Sequence, residues 1–287
     1  MNASVIIPTY YRSRDLNRLF ENLLKQLTKP VEVLVVDDTP TFEIKNLCKK
    51  YRSKFQKAAV RLVYVKNYRE RSISIARNLG AKMAFGDILM FLDSDISPYP
   101  DYLKNVLEAF NKYPNALGVG GWFSPLQKSR KGFRYYSNQV LIKLFSLTRD
   151  SQNSCRNFEY PIILSRTIYC QYLLGSTMSF KRSVFNEFQF DDKLKDYSWG
   201  EDFLFSNSIT KAYPNTLLIS PHARCINYAS NEARLKGKAL FDVQIRNAKY
   251  ILTKLWGLRG LLLFGRQLIG LRFFRVIIKI RHRQWSS

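Results

Sequence analysis

A chain of 287 residues, 46% of them hydrophobic, is long enough to bury a sizeable core and too apolar to be a disordered protein. Its formal net charge of +24, from 46 Lys/Arg against 22 Asp/Glu, exceeds what solubility requires. It points to an anionic partner: a membrane surface, a nucleic acid or a polyanionic substrate.

In chain order, the apolar runs 4–8 and 31–36 are rich in Val and Ile and end in Pro8-Thr9 and Asp37-Asp38. They predict buried parallel strands whose C-terminal ends carry polar residues. Between them, Leu16, Leu19, Phe20, Leu23, Leu24 and Leu27 form a helical stripe over 14–27. A helix over 41–53, a strand over 60–65, a helix over 73–84 and a strand over 87–92 continue the alternation, and the last strand runs into Asp93. This predicts a doubly wound, mostly parallel sheet, whose ligands bind beyond the carboxyl ends of the strands. Pro8-Thr9, Asp37-Asp38 and Asp93-Ser94-Asp95 all fall on that edge. Further on, the pattern predicts a helix over 102–113, strands over 118–122 and 173–180, and a helix over 200–213. Residues 124–168 offer no readable motif and are assigned to the acceptor side.

From Asn231 to the end, thirteen Lys/Arg accompany two Asp/Glu. Cations at Lys254, Arg259, Arg266, Arg272, Arg275, Lys279 and Arg281 interrupt the apolar residues too often for a spanning helix. An interfacial amphipathic helix on an anionic membrane is the favoured reading; an intramolecular or dimer-forming helix, and nucleic-acid binding, are the alternatives. Cys48, Cys155, Cys170 and Cys225 lack C-x-x-C spacing and are expected to be reduced, buried thiols. The first strand begins at residue 4, leaving no room for a signal peptide, which predicts a cytoplasmic protein held at the membrane periphery.

Asp93-Ser94-Asp95 is the motif richest in chemistry. Two carboxylates one residue apart at a strand end can share a hard divalent cation, Mg²⁺ or Mn²⁺, which would in turn bind a diphosphate. An isolated D-x-D is a weak signal; this one follows Phe91-Leu92 at a strand end.

Taken in order, Val5-Ile-Ile-Pro-Thr-Tyr10, Val35-Val-Asp-Asp38, Ala76-Arg-Asn-Leu-Gly80, Gly86-Asp-Ile-Leu-Met-Phe-Leu-Asp-Ser-Asp95 and Trp199-Gly-Glu-Asp202 resemble glycosyltransferase family 2. Arg246-Asn247 is similar to its helical segment after the core. The resemblance implies a GT-A fold over 1–230, with a nucleotide-binding half over 1–100 and an acceptor-binding half over 101–230, followed by a basic region over 231–287. It implies an inverting enzyme that takes a nucleotide-diphospho-sugar donor and a saccharide or lipid-linked acceptor. Pro8, Thr9 and Tyr10 would line the nucleotide pocket; Asp38 would bind base or ribose with Asp37 alongside. Arg71 and Arg77 would reach the diphosphate or hold the pocket carboxylates. Asp93, with Ser94 beside it, would serve ribose or metal, and Asp95 would be the main metal ligand. Asp202 would be the catalytic base, Glu201 its neighbour, and Trp199-Gly200 part of the acceptor platform.

Two departures from the family pattern stand out. Thr39-Pro40 follows the second strand where Gly-Ser is common, and the usual metal-binding His has only His222 or Asn227 as counterparts. A polyprenyl-phosphate glycosyltransferase resembling dolichyl-phosphate mannosyltransferase is the alternative enzymatic expectation. A basic nucleic-acid-binding protein is the alternative outside enzymes.

Overall fold

Alternation within the strands sorts the core. In β1 (Ala3–Thr9), β2 (Glu32–Asp37) and the later β4 (Ile88–Phe91), successive side chains leave opposite faces of the sheet. Val5, Ile7, Val33, Val35, Ile88 and Met90 join one buried cluster, while Ile6, Leu34, Val36, Leu89 and Phe91 join the other. Strands that are apolar at every position need helices on both sides. The computed structural model, which describes residues 1–124, 164–230, 232 and 234–283 with the backbone alone at 267 and 270–283, has them on both.

On the first face lie α1 (Ser13–Leu24), α2 (Glu43–Lys57) and α4 (Tyr102–Lys112). Helix α1 buries Leu16, Leu19, Phe20 and Leu23, spaced as one helical face requires, and each such side chain contributes about 1.5–3 kcal/mol. On the second face lie α3 (Ile73–Met83) and α5 (Glu201–Ala212). Phe205 of α5 stacks on Phe190 with ring centroids 4.1 Å apart.

The remaining strands are β3 (Arg61–Lys66), β5 (Ile96–Pro98), β6 (Gly118–Phe123), β7 (Ile168–Cys170), β8 (Met178–Lys181) and β9 (Leu217–Asn227). Among the described residues the strand order is β3-β2-β1-β4-β8-β6-β9-β5, and β7 also pairs with β9. The expected parallel arrangement holds for β3-β2-β1-β4. Beyond β4 the sheet is mixed: β8 runs antiparallel to β4 and β6, and β6 parallel to β9. Register sets Thr9 beside Asp37 and Ile6 beside Phe91, so the ends of β1, β2 and β4 share one edge, as expected.

The strand expected over 173–180 begins only at Met178, because residues 174–177 form a loop closed by a Thr177 N–H to Leu174 O bond of 3.0 Å. The C-terminal helix α6 (Gly237–Arg283) is interrupted at Gly257, where φ is 56° and ψ −131°. Cys48, Cys170 and Cys225 are buried; Cys155 and most of the unread 124–168 segment lie outside the described residues.

Candidate active site

The edge where β1, β2 and β4 end opens into a cleft continuous with solvent. Pro8, Thr9, Tyr10, Asp38, Arg71, Asp93 and Ser94 line it. Burial pushes the Asp38 carboxyl up to about 6, even though the Asn67 side chain donates to it and favours the charged form. The Arg71 guanidinium lies 4.7 Å from the centre of the Tyr10 ring and 3.4 Å from Asp196 Oδ1.

Asp37, expected beside Asp38, does not line the cleft. Its side chain follows Val33 and Val35 to the opposite face and is fully buried. There its carboxylate accepts from Thr39 N–H at 2.7 Å and Tyr64 OH at 2.9 Å, because a buried carboxylate must be satisfied locally. Thr39 Oγ1 in turn accepts from Tyr11 N–H at 2.9 Å. Asp37 and Thr39 therefore shape the turn that Asp38 uses.

Asp95 is 1% exposed and collects cations. Its Oδ2 accepts from Ser230 N–H at 3.1 Å and Arg234 Nη2 at 3.2 Å, with Arg12 Nη1 at 3.5 Å. Burial first, then the charge of Asp93, raise the Asp95 carboxyl, while Arg12 and Arg234 pull it down. Arg12 also donates to Glu232 O at 3.1 Å, so the segment after β9 is strapped across the cleft, and Arg234 and Leu235 join its lining.

Arg77 of α3 is 1% exposed. Its Nη1 donates to Glu201 Oε1, and its Nη2 donates to Asp93 Oδ1 at 3.2 Å and Gly175 O at 2.9 Å. It contacts the carboxylates of Asp93 and Glu201 and is not among the residues lining the cleft. Burial disfavours its charge, but Glu201 and Asp93 outweigh burial and raise its pKa. Burial, then Asp202, drive the Glu201 carboxyl upward against the pull of Arg77. Asp202 Oδ2 accepts from Gly175 N–H at 2.8 Å and Oδ1 from Phe203 N–H at 2.7 Å, and Asp93 N–H donates to Ser176 O at 3.2 Å. The 174–177 loop thus ties both carboxylate clusters together. A Cβ at Gly175 would sit 2.9 Å from Arg77 Nη2 and 3.1 Å from Glu201 Oε1, so the loop approaches this closely only with glycine.

Gly200 caps α5 in the left-handed region, with φ 87°, where glycine carries no steric penalty. Trp199 is 37% exposed, and its carbonyl accepts from Asn247 of α6 at 3.1 Å. The Trp199-Gly200 turn is therefore tied to the C-terminal helix.

The donor set suits a hard cation. Among the described residues, Asp93 Oδ2 and Asp95 Oδ1 receive no hydrogen bond, and carboxylate oxygens are the ligands Mg²⁺ and Mn²⁺ prefer. Neither expected third ligand lines the cleft. His222 is exposed on β9, and Asn227 Oδ1 accepts from Ala229 N–H at 2.7 Å. No group of three or more His, Cys, Asp or Glu is placed to hold a metal among the described residues. Sequence reasoning missed Arg12, Asp196, Tyr197, Arg234 and Gly175. The left-handed Asp196 and Ser198, with φ 57° and 43°, belong to a loop whose position rests on Ser72, which donates to Leu194 O at 2.8 Å. No local sequence pattern announces such a contact.

This is the architecture of the GT-A glycosyltransferases. The structure superposes on GalNAc-T7 bound to UDP, GalNAc and Mn²⁺ with a TM-score of 0.64 at 16% identity, covering 89% of this chain and 48% of that one. It superposes on the mannosyltransferase PcManGT of Pyrobaculum calidifontis, in complex with GDP-Man and Mn²⁺, with a TM-score of 0.58 at 17% identity, covering 99% and 83%. The sequence profile described as "Glycosyl transferase family 2" matches residues 4–188. The chain belongs to glycosyltransferase family 2. It is 26% identical over 189 residues to a glucosyl-dolichyl phosphate glucuronosyltransferase of Haloferax volcanii, covering 65% of this chain and 55% of that protein. It is 30% identical over 113 residues to an uncharacterised glycosyltransferase of Haemophilus influenzae, covering 39% and 35%. The chain thus spans about half or less of these relatives' lengths. The family leaves the nucleic-acid reading of the charge without support.

Proposed function

We propose that the protein transfers a glycosyl group, with inversion, from a nucleotide-diphospho-sugar to a hydroxyl of a saccharide or lipid-linked acceptor. The observation that carries this reading is the Arg77 bridge. One buried guanidinium holds Asp93, on the edge where a nucleotide would lie, and Glu201, next to the candidate base Asp202.

In this reading Asp38 accepts hydrogen bonds from base or ribose, Tyr10 packs against the nucleoside, and Arg71, Arg12 and Arg234 face the diphosphate. Asp93 and Asp95 would hold Mg²⁺ or Mn²⁺, which when bound offsets the charge that builds on the leaving diphosphate. Asp202, held by Gly175 N–H, accepts the proton of the attacking hydroxyl. Base catalysis of this kind contributes typically 10²–10⁴-fold. Trp199 offers the acceptor sugar an aromatic face. Relatives of the chain include the Haloferax glucosyl-dolichyl phosphate glucuronosyltransferase and a chondroitin synthase of Pasteurella multocida, which supports both acceptor classes. A lipid-linked acceptor would be met at an anionic membrane surface through the basic C-terminal region.

The test is a binding panel of UDP-, GDP- and dTDP-sugars by thermal shift, with and without Mn²⁺, and Asp95→Ala as control. A metal-dependent shift with at least one donor, lost in Asp95→Ala, is expected. No such shift with any donor overturns the reading.

A further inference from the structure

Helix α6 changes character at its break. Before Gly257 it is packed. Ile251, Leu252 and Leu255 are 2%, 2% and 7% exposed, and Ile251 and Leu255 cluster with Leu194 and with Leu204 of α5. Asn247 holds Trp199 O, and Tyr250 and Lys254 both donate to Asp191. After Gly257, Phe264 is still buried, but a row of apolar residues faces water. Leu258 is 73% exposed, Leu262 69% and Ile269 64%, with Leu261 at 40%. At 100° per residue, Leu258, Leu262 and Ile269 fall within about 40° of one another around the helix. Scattered surface leucines need no explanation, but a row of them does.

The charge of the segment says what covers the row. Asp242 is the last acidic residue of the chain, and after it come Arg246, Lys249, Lys254, Arg259, Arg266, Arg272, Arg275, Lys279, Arg281 and Arg283. A second copy of the chain, itself at +24, would bring like charge against this arm. An anionic lipid surface offers both an apolar phase for the leucines and counter-charge for the cations. No described helix is long and apolar enough to cross a membrane, so the arm would lie in the interface.

We infer that the arm beyond Gly257 is an in-plane membrane anchor that seats Leu258, Leu262 and Ile269 in an anionic leaflet. The arm before Gly257, packed on α5, couples that seating to the acceptor side and sets Trp199 and Asp202 at a fixed position relative to the lipid. Docking itself is independent of the transferase reading. Only the delivery of a lipid-linked acceptor rests on that reading.

The experiment is co-sedimentation of the full chain with vesicles of mixed phosphatidylglycerol and phosphatidylcholine, and of phosphatidylcholine alone. Leu258→Glu/Leu262→Glu is the variant, since both side chains are exposed and the fold does not depend on them. The wild type binds the anionic vesicles, and the double variant partitions about tenfold less, with its Tm and any nucleotide-sugar shift unchanged. Equal partitioning of wild type and variant overturns the inference. So does failure of the wild type to bind anionic vesicles, or a dimer in sedimentation velocity that the double substitution dissolves. Vesicle binding without any donor shift sinks the transferase reading and leaves docking standing; a donor shift without vesicle binding does the reverse.

Discussion

Arg77 of α3 and Glu201 of α5, 124 residues apart in sequence, meet as an ion pair beneath the cleft, with the arginine side chain 1% exposed and the glutamate 10%. The pair joins the two halves of the site, because the second Nη of the same guanidinium reaches Asp93. Deleting one partner of a buried pair leaves the other buried and unsatisfied, which costs about 3–5 kcal/mol. Arg77→Ala is expected to lose about that much in urea unfolding. Arg77→Lys keeps the charge but loses the fork that spans two carboxylates, so it should retain most stability while turnover falls. Wild-type stability in Arg77→Ala would show that the pair does not hold the site.

Gly175 is held to glycine by what surrounds it. A methyl group there meets Arg77 Nη2 at 2.9 Å and Glu201 Oε1 at 3.1 Å, and overpacking of this size costs about 1–3 kcal/mol. The loop also carries the N–H that holds Asp202. Gly175→Ala is therefore expected to lower kcat by a larger factor than its loss of stability explains, with donor affinity nearly unchanged. Equal losses in donor affinity and kcat would move the role of the loop to the nucleotide side.

The strands and their ends were legible because periodicity is local. Val33, Val35 and Asp37 share one face by the period of two, and the same rule explains why Asp38, not Asp37, enters the cleft. The D-x-D pair could be placed for a similar reason: the apolar run before Asp93 allows only a buried strand. Arg234 could not, since it reaches Asp95 across 139 residues from a segment where cations are common. The 174–177 loop was hidden as well, because Leu173-Leu174 before it and Met178 after it continue an apolar pattern that the chain breaks only to meet Arg77.

Asp38 gives the cleft a pH dependence. Its carboxyl is raised to about 6 by burial, so in the free protein it holds a proton below that pH. In the proposed role, the carboxylate that accepts from ribose or base is then unavailable, and nucleotide affinity should rise as pH increases through 6 and level off above it. The limiting slope is about tenfold per pH unit for one proton. Calorimetric titration of the nucleotide between pH 5 and 7.5 reads this directly. Asp38→Asn should bind weakly and show no such rise; an unchanged pH profile in that variant would assign the titration elsewhere.

Asp202 separates the two classes of acceptor. A hydroxyl acceptor needs its proton removed, so Asp202→Asn should lower kcat by about 10²–10⁴-fold while donor binding persists, since Asp202 does not line the donor cleft. A phosphate acceptor is already an anion, and the same variant would then lose little. Single-turnover transfer with candidate acceptors of both kinds distinguishes the outcomes.

Arg234 and a divalent cation would compete for Asp95. The guanidinium lies 3.2 Å from Asp95 Oδ2, with Arg12 at 3.5 Å from the same atom, so a metal bound there meets positive charge already in place. Removing Arg234 relieves that repulsion but also withdraws a cation from the wall that a diphosphate would touch. Partly exposed charge pairs of this kind are worth up to about 1 kcal/mol, or about fivefold in affinity. Arg234→Ala is therefore expected to bind Mn²⁺ more tightly in the absence of nucleotide and the nucleoside diphosphate more weakly in the absence of metal. The two effects have opposite signs, and titration of Mn²⁺ by its electron paramagnetic resonance signal, with calorimetry for the nucleotide, measures each alone. If Arg234 served only to fasten the strap, both affinities would fall together.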